Sequence, residues 1–176
     1  MLAAHGRVGS AEIGSMESRM KRPRPQPAKD APEGTVWSGG PIGWFSISLI
    51  IRADDLVPED ITRLLLVEPT RTRIKGLPQS ERVGSPVAKS SSWQIQLTSQ
   101  ETDEWDVLEA IRLLISRFPN TSDVWKQLPA GAEVRLSIGL HLETANQGFS
   151  LSSDILQFAA DRKIEIEFDV YDRTMS

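Results

Sequence analysis

The chain predicts an α+β fold, a two-layer sandwich of a four-stranded mixed sheet with about three helices on one face. Two observations carry this: four segments alternate apolar and polar residues, and three segments between them space their apolar residues at helical intervals. Each strand is apolar on one side only, so the second sheet face is expected to meet water or a partner. Two β-α-β units make a ferredoxin-like strand order the first choice.

The first strand begins near Gly43, where Phe45, Ile47, Leu49 and Ile51 share one face of Trp44 to Ile51. Asp54 to Asp60 then offers an N-cap, Pro58 in the first turn, and acids suited to the positive end of a helix dipole. The helix runs through Leu66, with Ile61, Leu64 and Leu65 on one side. Residues 67–91 read as an irregular loop, long enough to be either functional or mobile. Trp93, Ile95 and Leu97 alternate with Gln94, Gln96 and Thr98 as a second strand. From Thr102 to Phe118, Trp105, Leu108, Ile111, Ile115 and Phe118 follow helical spacing behind acidic first-turn residues. Asn120 to Asp123 can cap a short turn that ends near Leu128, before Pro129 and Gly131. Val134, Leu136, Ile138, Leu140 and Leu142 mark the third strand. Ser152 or Ser153 caps a helix carrying Ile155, Leu156, Phe158 and Ala159. Ile164, Ile166, Phe168 and Val170 alternate with Glu165, Glu167, Asp169 and Tyr171 in the last strand.

With 176 residues and 39% hydrophobic content, the chain suits one globular domain over residues 41–176. Residues 1–40 carry Lys21-Arg22-Pro23-Arg24-Pro25-Gln26-Pro27 and no sustained apolar period. They read as a disordered N-terminal tail whose alternating prolines suit an aromatic groove. The absence of cysteine removes disulfides, thiolate metal sites and thiol nucleophiles. No apolar segment is long enough to cross a bilayer and the first twenty residues lack a secretory pattern, so the cytoplasm is the expected location. The tail holds six basic against four acidic residues, +2, and the rest fourteen against twenty, −6, a balance that disfavours binding to nucleic acid through phosphates.

Two stretches are distinctive as a set. One runs from Asp54-Asp55-Leu56-Val57-Pro58-Glu59-Asp60-Ile61 into Leu66-Val67-Glu68-Pro69-Thr70-Arg71-Thr72-Arg73-Ile74-Lys75-Gly76. The other runs from Gln147-Gly148-Phe149-Ser150-Leu151-Ser152 to Glu167-Phe168-Asp169-Val170-Tyr171. Together with Trp93 they resemble the domain-of-unknown-function family numbered 4279, over roughly Trp44 to Asp172. The resemblance implies a small bacterial α/β domain with no established catalytic activity and an immunity-protein role beside toxins. Pro69, Thr70, Gly76, Trp93, Gly148, Phe149, Asp169 and Tyr171 are its motif positions, and structural roles are expected for them. Where the family often has an aromatic residue before the glycine of the first motif, this chain has Ile74.

Within 67–91, Arg71, Arg73, Lys75, Arg82 and Lys89 stand against Glu68 and Glu81, a balance of +3 on an acidic body. Arginine forks suit phosphate or carboxylate, although no Gly-rich phosphate cradle is present. The polar sheet face is expected to show Ser46, Ser48, Gln94, Gln96, Arg135, Ser137, His141, Glu165, Glu167 and Asp169. It should carry no aromatic ring along its strand centres, which argues against RNA stacking. Trp93, Trp105 and Trp125 are expected in the core, while Trp37 and Trp44 flank a Gly-Gly-Pro segment at the domain edge.

No catalytic residue, metal site or cofactor is assigned, because no nucleophile elbow, HExxH helix or dinucleotide turn occurs. The leading expectation is a non-catalytic protein-binding module, an immunity-type inhibitor of a toxin, whose partner is another protein and not a membrane. The partner-binding candidates are Arg71, Arg73, Lys75, Arg135, His141, Glu165, Glu167 and Asp169. One alternative is a small anionic-ligand sensor using the basic 67–91 loop. Another is a hydrolase pairing His141 with Glu143 or with Glu165 or Glu167 across strands.

Overall fold

Side chains that alternate along a strand can leave water on one side only, and here that side is roofed by helices. The computed structural model describes residues 42, 44–98, 106–142 and 146–172. Its elements are β1 (Trp44–Ala53), α1 (Pro58–Leu65), β2 (Arg71–Arg73), β3 (Ser91–Thr98), α2 (Val107–Ile115), a 3-10 turn (Ser122–Gln127), β4 (Glu133–Leu142), α3 (Ser153–Asp161) and β5 (Glu165–Asp172). They form one open mixed sheet in the order β2-β3-β1-β4-β5. β1 lies antiparallel between β3 and β4, β2 pairs antiparallel with β3, and β5 pairs parallel with β4.

The α+β class and the mixed sheet agree with the sequence reading, and three details differ from it. The sheet has five strands, not four. A ferredoxin-like order would place a strand between the two joined by a crossover helix; β4 and β5, joined through α3, are direct neighbours. The 67–91 segment is not a plain loop. It opens with β2, and Pro78 bridges Val87 while Gly76 N–H donates to Ala88 O and Ala88 N–H to Leu77 O, closing a small hairpin. Gly76 takes φ +85°, the left-handed region that suits glycine at this turn.

Proline sets where α1 begins. Pro58 confines Val57 to extended backbone, so Val57 occupies the N-cap without a side-chain bond, and the anticipated aspartate cap does not form. Asp54 instead accepts from Lys75 Nζ at 2.7 Å. At the other end, Leu66 turns left-handed and returns its N–H to Thr62 O. In α2 the Asp106 carboxylate accepts from Leu108 N at 2.8 Å, an Asp N-cap. The part of that expected helix before Asp106, including Trp105, lies outside the described residues, as do residues 1–40 with Trp37, and Glu143.

Phe45, Ile47, Leu49 and Ile51 of β1 are at most 1% exposed, flanked by Trp93 and Ile95 of β3 and by Leu136 and Ile138 of β4. Burying each such aliphatic side chain stabilises the fold by about 1.5–3 kcal/mol. Ile61 and Leu65 of α1, Ile111 and Leu114 of α2 and Ile155 of α3 close the layer. The Trp93 indole donates to Thr62 Oγ1 at 3.0 Å, which satisfies its buried polar atom. Phe118 and Trp125 pack at 5.4 Å, and Trp125 meets Phe158 edge-on at 6.1 Å. Against Phe158 lies the Arg162 guanidinium, 4.0 Å from the ring centroid, donating to Phe158 O and Asn120 O. Burial holds the Arg162 pKa below its ordinary value. Arg162 thus ties the end of α3 to the loop before the 3-10 turn.

Candidate functional site

The alternate residues of every strand project from the face opposite the helices, and none of them belongs to the apolar core cluster. The strand register arranges them in rows, because residues paired across a ladder point the same way. Trp44, His141 and Tyr171 form one row, and Ser46, Gly139 and Asp169 the next. Gln96, Ser48, Ser137 and Glu167 follow, then Arg71, Gln94, Ile50, Arg135 and Glu165. The last row is Arg73, Ser92, Arg52 and Glu133.

The ring row is a continuous stack. The Trp44 and His141 centroids are 4.2 Å apart at 16°, and those of His141 and Tyr171 4.7 Å apart at 13°. Sequence reasoning expected no ring along the strand centres, and the three rings do sit at one end. Tyr171 is 51% exposed, so a substantial aromatic surface faces solvent. Beside the stack the rows contain mostly small residues. A Cβ on Gly139 would lie 2.7 Å from Ser46 Oγ, so the serine hydroxyl takes the space over the glycine. Ser46, Ser48, Ser137 and Gly139 thus put only small side chains on β1 and β4 between the rings and the Arg135 row.

Arg135 on β4 binds both acids of β5 across the ladder. Its Nη1 reaches Glu167 Oε1 and Oε2 at 3.2 and 3.3 Å, and its Nη2 reaches Glu165 Oε2 at 3.4 Å. The charges of Glu167, then Glu165, hold the Arg135 pKa above its ordinary value. Asp169 completes the acidic margin one row nearer the rings. His141 pairs with Tyr171, while Glu165 and Glu167 pair with Arg135 and Ser137, so the histidine and those carboxylates are not brought together. Among the described residues no group of three or more His, Asp or Glu is placed to hold a metal ion.

The basic residues of 67–91 are separated by the fold. Arg71 and Arg73 stand on β2 at the far margin of the open face. Lys75 turns away to Asp54, and Arg82 is exposed on the hairpin. Arg52, which sequence reasoning passed over, joins Arg71 and Arg73; its even position on β1 was the available signal. The Arg73 pKa is lowered by burial first, then by the charges of Arg71 and Arg52.

The remaining motif positions are structural in their contacts. Thr70 sends both its N–H and its hydroxyl to Gln94 O, at 2.9 and 3.2 Å, seating the start of β2. Phe149 tilts onto Phe168 with centroids 6.0 Å apart, Pro69 borders a cleft beside α1, and Gly148 is exposed with open space around it. No helix of the described residues is long and apolar enough to cross a membrane.

A family model described as Domain of unknown function (DUF4279) matches residues 44–173. No curated protein and no solved structure matches the chain.

Proposed function

Because this chain belongs to the DUF4279 family, whose description assigns no activity, we propose that it is a non-catalytic protein-binding module that docks a basic protein partner on the open sheet face. The carrying observation is the uncovered face itself: a Trp44-His141-Tyr171 stack that ends in an exposed tyrosine, beside rows of small residues and an acidic margin. A ring stack that ends in the exposed Tyr171, next to small side chains, matches the anchors that dominate protein interfaces, and a charged margin steers encounter. Glu165 and Glu167 are already ordered by Arg135, so a partner meets a preformed acidic surface at small entropic cost. His141 stacks between two rings and away from those carboxylates, which supports a contact role over hydrolysis.

An immunity-type inhibitor that covers a toxin's basic active site is the most specific form of this reading. The test is capture from the native host at low and physiological salt with the full chain, alongside a Glu165→Gln, Glu167→Gln, Asp169→Asn variant and a Tyr171→Ala variant. The expected outcome is a stoichiometric partner whose affinity falls about 30-fold in the tyrosine variant, the order of a 2 kcal/mol anchor. In the neutralised variant its salt dependence should also shrink. A partner held equally by all three proteins would remove the open face from the interaction.

A further inference from the structure

Three arginines gather on the margin opposite the acids, and no ion pair of the described residues answers their charge. Arg73 lies in register with Ser92, and Ser92 with Arg52, so the two arginines flank a small residue across two strand spacings, about 10 Å between Cα atoms. Arg71 is two residues from Arg73 on the same face of β2. Among the described residues none of the three has a side-chain hydrogen bond or an ion pair. The Arg73 Nε is buried without a hydrogen-bond partner. Of the nearby acids, Asp54 is occupied by Lys75 at 2.7 Å, and Glu133 stands beyond Arg52 on β4, the side away from Arg73.

We propose that Arg52, Arg71 and Arg73 form a binding site for the phosphate group of a small molecule, seated over Ser92. Three like charges with one carboxylate, Glu133 beside Arg52, among them cost stability in the empty protein, and an anion recovers it. A phosphate fits better than a single carboxylate: it presents several terminal oxygens to guanidinium forks carried on two strands and carries up to two negative charges. The Ser92 side chain, between the two arginines in register, supplies a further donor. The site lies across the face from Tyr171, Glu165 and Glu167, so it stands or falls separately from docking of a protein partner.

The test uses the full chain titrated with inorganic phosphate and, separately, with glycerol 3-phosphate, followed by calorimetry and thermal unfolding at constant ionic strength set with sodium chloride. The expected result is a saturable rise in melting temperature that chloride alone does not produce. Tighter binding of glycerol 3-phosphate identifies a phosphorylated metabolite, and equal or tighter binding of inorganic phosphate identifies the free ion. Arg52→Gln and Arg73→Gln should each weaken binding at least tenfold, and Arg73→Lys should not restore it, because a point charge lacks the fork. The ligand-free Arg71→Gln protein should melt no lower than the parent, and up to roughly 2 °C higher as repulsion is relieved. Rises matched by chloride, or undiminished in the arginine variants, would overturn the site. So would ligand-free variants that all melt lower than the parent, since the arginines would then be holding the fold together.

Discussion

β1 and β5 are written in the same alternating code and meet different fates. In β1 the four apolar positions are at most 1% exposed, because β3 and β4 flank the strand and helices cover it. In β5 the equivalent positions Phe168 and Val170 are 46% and 59% exposed. β5 is the sheet edge, and among the described residues only Phe149 lies against Phe168 as a ring contact. Alternation therefore tells which way a side chain points; the position of the strand in the sheet tells whether anything is there to receive it.

The largest effect that sharpens this contrast is in the core. Leu49→Ala should cost about 2–5 kcal/mol in chemical denaturation, whereas Phe168→Ala, already half in water, should cost less than half as much. Equal losses at the two positions would mean that the edge is covered in solution and would break the comparison.

A smaller effect concerns the row that links the two strands through β4. A double-mutant cycle of His141→Ala and Tyr171→Ala, read by thermal or urea unfolding, should give a coupling of about 0.5–1.5 kcal/mol from the stack. A coupling near zero would mean that the rings sit side by side without supporting one another.

The smallest effect is at the start of α3. The Asp154 carboxyl is held below its ordinary value of 3.8, first by the Ser152 hydroxyl and then by Arg112 at 3.3 Å. A carboxyl whose folded pKa is depressed contributes stability that is present above its unfolded pKa and is lost as pH falls through the lower folded value. Unfolding followed as pH is lowered below 3.8 should therefore show an acid loss that Asp154→Asn reduces, with the remainder from groups such as Asp123, lowered by Lys126. An unchanged acid limb in Asp154→Asn would assign the loss elsewhere.

Legibility along the chain followed the range of the interactions. β1, β3, β4 and β5 were readable because alternation is written in neighbouring residues, and α2 and α3 because their apolar spacing is local. β2 was not: Arg71-Thr72-Arg73 has no apolar alternation, and it is a strand because β3 offers it a ladder to complete. The acids of the candidate face were legible, since Glu165, Glu167 and Asp169 follow the period of β5. Their attachment to Arg135 depends on the parallel register of β4 and β5, which nothing local specifies.

By itself the sequence determined that the fold is α+β, that each strand has one apolar face, and that the domain is acidic, because periodicity and charge are properties of nearby residues. The tertiary structure alone decided the strand order, the ring stack from β1, β4 and β5, and the gathering of Arg52 with Arg71 and Arg73. Each of these joins residues far apart in the chain, and their meeting depends on which strands pair and in what register.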